Sequence, residues 1–255
     1  MTPRLPPQTR RAPLAHRALH DIGQGRPENS RAAVQAALQA GYGIEIDVQP
    51  SADGAAMVFH DEDLARLTGR RGAVHAHSTE VLRATPLLHG NEGIPTLAEI
   101  LDLISGQVPL IVEIKDQDGA MGANIGPLEA SVAAALQTYS GPVAVMSFNP
   151  NSVALMATLC PDIPRGLVTS AYDPAVWPLP PGTCDRLRAI PDYTRTGASF
   201  ISHEVDDLDR PRVAELKSQG ADILCWTVRS AAQEAQARHI AQNITFEGYA
   251  AVIPS

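Results

Sequence analysis

Cysteine is scarce in this chain, a basic surplus is missing, and so is any long apolar run. The three cysteines of the 255 residues, Cys160, Cys184 and Cys225, are odd in number and far apart. They show neither metal-ligand spacing nor a disulfide framework, so a reducing compartment is the simpler expectation. Net charge is −8 and no block of Lys and Arg marks a nucleic-acid binder. The opening residues, MTPRLPPQTRRAPLAHR, carry proline and arginine but no apolar segment of a secretory signal. No apolar run is long enough to span a bilayer, so stable membrane insertion is not expected. These lacks together predict a cytoplasmic protein.

What is present is an alternation. Short apolar runs at 12–16, 43–48, 55–60, 109–115, 142–148, 163–169, 198–203, 222–228 and 243–245 read as strands. Helix-like segments such as SRAAVQAALQAG, TLAEILDLISG and DRPRVAELKSQG lie between them. Several open at Pro or a Ser/Thr/Asn/Asp cap and close at Gly. Strands alternating with helices of this length imply parallel βαβ units. With 55–60 counted as a hairpin partner of the strand before it, eight units remain. The expected fold is an α/β (β/α)₈ TIM barrel, preferred over a doubly wound open sheet. It fills residues 12–255 as one domain, after an N-terminal tail of residues 1–11. Residues 61–95 read as a short polar insertion after the second strand, and the Pro-rich stretch 173–192 as a surface excursion.

In GIEIDV, side chains alternate faces, so Glu45 and Asp47 project one way and Ile44, Ile46 and Val48 the other. In a barrel the aliphatic set packs on helices and the acids point inward, near the strand end where such enzymes build their sites. Glu113 repeats the pattern at the end of PLIVEIK. One strand-end acid is commonly a salt-bridge partner or a cap. Three on two strands, buried without a cation, would be costly. An all-oxygen set favours a hard divalent ion, Mg²⁺ or Ca²⁺, over zinc.

His16 ends APLAH and His60 ends AAMVFH, each beside a charged neighbour, Arg17 and Asp61. Two histidines so placed suggest a general acid and a general base. His203 also ends a strand, and Phe148 and Asn149 fall at another strand end, where they are candidates to line a pocket.

These residues resemble the glycerophosphodiester phosphodiesterase family. Its hallmarks are an opening His-Arg-Gly, then Pro-Glu-Asn-Thr, a Glu-x-Asp-Val strand, an Asp-Gly turn leading to His-Asp, and Glu-Ile-Lys. Here they read His16-Arg17-Ala18, Pro27-Glu28-Asn29-Ser30, Glu45-Ile46-Asp47-Val48, Asp53-Gly54 leading to His60-Asp61, and Glu113-Ile114-Lys115. IPTLAEIL at 94–101 and CWTV at 225–228 continue the order along nearly the whole chain. The resemblance implies metal-dependent hydrolysis of a glycerophosphodiester to glycerol 3-phosphate and an alcohol. It implies Glu45, Asp47 and Glu113 as metal ligands, and His16 and His60 as the acid/base pair. Arg17 and Lys115 become phosphate contacts, Trp226 borders the substrate, and Glu28 is a candidate to orient Arg17. Two departures stand out: Ala18 replaces the usual Gly, and Ile244-Thr245-Phe246-Glu247-Gly248-Tyr249 replaces the usual Ile-Thr-Asp-x-Pro.

The implied site resolves the acidic composition. Three carboxylates, a divalent ion, Arg17 and Lys115 sum to +1, which attracts a phosphodiester, whereas without the ion the sum is −1. Two rivals keep the barrel: a phospholipase D-like enzyme acting on lysophospholipids, and a catalytically silent barrel binding a phosphate ligand.

Overall fold

The computed structural model describes residues 2–254. Helix α1 (Pro7–Arg11) leads into β1 (Leu14–Ala15), and α2 (Arg31–Ala40) returns the chain to β2 (Gly43–Pro50). β3 (Ala56–Val58) doubles back, followed by α3 (Ala65–Thr68), α4 (Thr79–Arg83) and α5 (Leu97–Ile104). Strands and helices then alternate through β4 (Leu110–Ile114), α6 (Pro127–Leu136), β5 (Val143–Ser147), α7 (Pro150–Leu159) and β6 (Arg165–Thr169). The last units are α8 (Pro181–Arg188), β7 (Phe200–Glu204), α9 (Pro211–Ser218), β8 (Asp222–Val228), α10 (Ala231–Ala237) and β9 (Asn243–Phe246).

Eight of these strands run parallel, and β1 closes the ring by pairing Leu14 with Gly43 of β2 and with Thr245 of β9. Closure excludes the open sheet. β3 lies outside the ring and pairs antiparallel with β2, Val48 opposite Val58. The chain is therefore a TIM barrel with one added strand, as the alternation predicts.

The period-two pattern sets the layers. Ile44, Ile46 and Val48 join Val34, Ala37, Ile100 and Leu101 in the layer between barrel and helices. Leu14, Ile111, Ala144, Val168, Phe200 and Leu224 fill the interior as a separate apolar plug. Gly166 is required there, because a Cβ on it would lie 2.3 Å from the Phe200 ring. Leu5 joins this plug, and its segment is tied down where Asn243 Nδ2 donates to the carbonyls of Thr9 and Ala12, both at 2.7 Å. With apolar side chains filling this plug, inward carboxylates further along β2 and β4 are left to build a polar site at the strands' C-terminal ends.

Two expectations need correction. The 61–95 segment is polar in composition, yet Leu64, Val74, Leu82, Leu87 and Ile94 pack with Met57 and Phe59 into an apolar cluster of its own. The Pro-rich stretch is more than a surface excursion: Leu179, Cys184 and Leu187 pack on Tyr172, and Pro181 starts α8. Proline at a first helical position costs no hydrogen bond, which is why a Pro-rich sequence builds a helix here.

Candidate active site

Asp47 of β2 and Glu113 of β4 are register partners, and Glu45 lies two residues back on the same inward face. One oxygen from each of Glu45, Asp47 and Glu113 lies within 4.8 Å of the others. Glu45 and Asp47 are each only 1% exposed. Asp47 accepts from Lys115 Nζ at 2.7 Å and Asn29 Nδ2 at 2.9 Å, and Arg17 Nε adds a positive charge 3.7 Å away. Lys115 Nζ also lies 2.5 Å from Glu113 Oε1. Glu45 differs. Its Oε2 accepts the Arg17 backbone N–H at 3.0 Å, while its buried Oε1 has no hydrogen-bond partner among the described residues.

Electrostatics follow the same division. Burial, then the negative neighbours Asp47 and Glu113, push Glu45 well above the usual carboxylate range. Asp47 is equally buried, but Lys115, His60 and Arg17 outweigh that cost and hold it below its usual value. A buried all-oxygen set with one oxygen left without a donor fits a hard divalent cation. Glu45, Asp47 and Glu113 are the residues that would hold it.

Arg17 is placed by strained backbone. Arg17 and Ala18 both take left-handed conformations, at φ 52° and 63°. This turns the N–H of Arg17 onto the Glu45 side chain and that of Ala18 onto the Glu45 carbonyl, 2.9 Å away. Left-handed backbone disfavours a side chain, yet the Ala18 methyl is buried in the layer between barrel and helices, which offsets part of the strain. Asn29 is left-handed as well, at φ 58°, so that its side chain reaches Asp47.

Both histidines are oriented by carboxylates. His60 Nδ1 lies 2.7 Å from Asp61 Oδ1. Asp61 accepts Arg66 Nε at 2.7 Å, Arg66 Nη1 reaches Glu28 at 2.8 Å, and Glu28 accepts Arg17 Nη1 at 2.7 Å. An ion-pair chain thus runs from His60 to Arg17. His16 Nδ1 lies 2.6 Å from Glu247 Oε2, just after β9. Glu247 is held in turn by Arg229 Nη2 at 2.7 Å. Burial lowers the pKa of His16 and the bond to Glu247 opposes it, with a net downward result. In each case Nδ1 faces a carboxylate, which fixes the ring's orientation.

His16, Arg17, Glu45, His60, Glu113, Lys115 and Trp226 line one cavity of about 140 Å³, with Asp47 immediately behind Lys115. Phe148 lines it too, its ring centroid 5.5 Å from that of Trp226. His203 stays out. It is fully buried, with Nδ1 on Thr169 Oγ1 at 2.7 Å and Nε2 at 3.0 Å from Asp207 Oδ2, so it is a satisfied structural residue. Asn149 caps α7 through the Asn151 N–H at 2.9 Å. Sequence reasoning missed Glu247, Arg66 and Arg229. Only Glu247 carried a signal, as the acid standing inside an altered C-terminal motif.

Fold and site together define a barrel enzyme with a buried acidic cluster able to hold a divalent cation. The chain belongs to the glycerophosphoryl diester phosphodiesterase family, which it matches over residues 16–244. YhdW of Bacillus subtilis is 28% identical over 227 residues, 85% of this chain and 86% of that one. A glycerophosphodiester phosphodiesterase of Bacillus altitudinis is 32% identical over 152 residues, 56% of this chain and 61% of the relative. Among solved structures, a phosphodiesterase of Oleispira antarctica in complex with the product sn-glycerol-3-phosphate is 25% identical. Its TM-score is 0.73, over 92% of this chain and 91% of that one. Among the described residues, no helix is long and apolar enough to cross a membrane.

Proposed function

We propose that this chain hydrolyses glycerophosphodiesters to sn-glycerol 3-phosphate and an alcohol, with Mg²⁺ or Ca²⁺ at Glu45, Asp47 and Glu113 and the two histidines as acid and base. One observation carries the reading: Glu45 and Glu113 of the acidic cluster, Arg17, Lys115 and both carboxylate-oriented histidines line a single cavity, with Asp47 bound to Lys115 at its wall. When bound, the cation supplies Lewis-acid stabilisation to a phosphoryl oxygen. Arg17 and Lys115 bind the remaining phosphate charge. His16 takes the proton of the nucleophile, which is the glycerol 2-hydroxyl (giving a cyclic phosphate intermediate) or water. His60 gives a proton to the leaving alcohol. Glu247 and Asp61 hold the two imidazoles in the tautomers these roles need.

The test is product analysis with glycerophosphocholine and related diesters. Glycerol 3-phosphate should form with Mg²⁺ or Ca²⁺ and stop on addition of EDTA. A cyclic phosphate as the final product would instead support the phospholipase D-like rival. The silent-barrel rival rests on Ala18, and Ala18 adopts left-handed backbone with its own N–H on the Glu45 carbonyl at 2.9 Å.

A further inference from the structure

We propose that a second, wider cavity beside His60 receives the leaving alcohol and selects one bearing a quaternary ammonium group. This rests on the hydrolysis proposed above. The cavity, about 400 Å³, shares His60, Glu113, Lys115 and Phe148 with the inner one. A diester with its phosphate at that shared wall places one substituent in each space. His16 lines only the inner cavity and His60 lines both, so the outer space lies on the side of the proton donor.

The outer wall has two chemistries. One is soft and apolar: Phe148 and Trp177, with ring centroids 5.1 Å apart and planes inclined at 56°, flanked by Met121 and Leu179. The other is anionic. Asp116 accepts only neutral donors, the Met121 N–H at 2.9 Å and Asn149 Nδ2 at 2.7 Å. Glu62, on the exposed lip, makes no ion pair among the described residues. Lys115 is committed to Asp47 and Glu113, and Asp61 to His60 and Arg66. The wall therefore carries two uncompensated carboxylates beside aromatic faces.

A methylated ammonium matches both, because it is a cation with apolar surface that stacks on aromatic faces. An anionic head group meets Asp116 and Glu62 unfavourably. A neutral polyol gains neither interaction, and an acyl chain would desolvate the Asp116 charge without supplying a cation to offset it.

The test compares kcat/KM for glycerophosphocholine, glycerophosphoethanolamine, glycerophosphoglycerol and a long-chain alkyl glycerophosphodiester, all at saturating metal. The choline ester should lead the glycerol ester by roughly tenfold, in line with a partly desolvated cation–aromatic contact. Trp177→Ala and Glu62→Gln should each move that ratio toward one. Tetramethylammonium chloride should inhibit the parent competitively and Trp177→Ala less. Should Trp177→Ala fail to fold, Glu62→Gln, on an exposed side chain, carries the test. Equal turnover of all head groups overturns the subsite while leaving hydrolysis standing. Preference for the alkyl ester overturns the cationic assignment. No turnover of any ester overturns the underlying reading instead.

Discussion

His16 Nδ1 lies 2.6 Å from Glu247 Oε2, although 231 positions separate the two residues in the chain. Barrel closure, which sets β9 beside β1, brings them together. Glu247→Gln should lower kcat roughly 10–100-fold with little change in KM, since the imidazole loses its orienting anion. The pH profile gives a second readout. On the proposed mechanism His16 acts as base when neutral, and Glu247, ahead of Asp47, raises its pKa against burial. Removing that anion lowers the pKa further, so the acidic limb of kcat/KM should move to lower pH. A limb that stays put would remove Glu247 from this role.

The acidic cluster makes a stability prediction. Glu45 is held well above its ordinary value, so the folded chain keeps a proton there that the unfolded chain loses. Without metal, stability should fall as pH rises through the ordinary glutamate range, until it passes the folded value of Glu45. At neutral pH in EDTA, Glu45→Gln should therefore melt higher than the parent, by roughly 2–6 °C. Added Mg²⁺ or Ca²⁺ should raise the Tm of the parent and leave the variant almost unmoved. Differential scanning fluorimetry in both conditions checks this.

The two histidines separate by leaving group. His16→Ala and His60→Ala should each lose on the order of 10²–10⁴ in kcat on glycerophosphocholine. A p-nitrophenyl ester departs without a protonated acid, so His60→Ala should recover much of its rate on that substrate. His16→Ala should not. The reverse pattern would exchange the two roles.

Ala18 is the departure whose cost can be weighed. Left-handed backbone costs a non-glycine residue about 1–2 kcal/mol. Replacing Ala18 with Gly removes that strain but gives up a buried methyl, about 0.8 kcal/mol, and adds about 0.5–1 kcal/mol of backbone entropy cost. The sum is close to zero. Ala18→Gly should leave Tm within about 2–3 °C of the parent and activity unchanged, as thermal melts and steady-state rates would show.

Legibility in the sequence divides by distance along the chain. Alternation inside GIEIDV is enough to turn Glu45 and Asp47 inward, and a charge appearing where the apolar run PLIV ends marks Glu113. The His60–Asp61 contact is between neighbours and was equally visible. Glu247 was not, because nothing local ties residue 247 to residue 16. The Arg66 link between Asp61 and Glu28 depends on how 61–95 folds over its own apolar cluster, which a polar composition hides. Trp177 was lost in a stretch whose prolines suggested an excursion, while Pro181 in fact starts a helix there.

The most direct measurement is release of glycerol 3-phosphate from glycerophosphocholine by the EDTA-treated protein, before and after Mg²⁺ or Ca²⁺ is restored. Parent and Glu45→Gln should be assayed together. The parent should be inactive until metal returns and active afterwards, and Glu45→Gln should stay at least about 10³-fold below it, because it removes the charge of a proposed metal ligand whose Oε1 has no hydrogen-bond partner among the described residues. Turnover by the parent that persists in EDTA, or a Glu45→Gln variant with near-parental rates, would contradict the account.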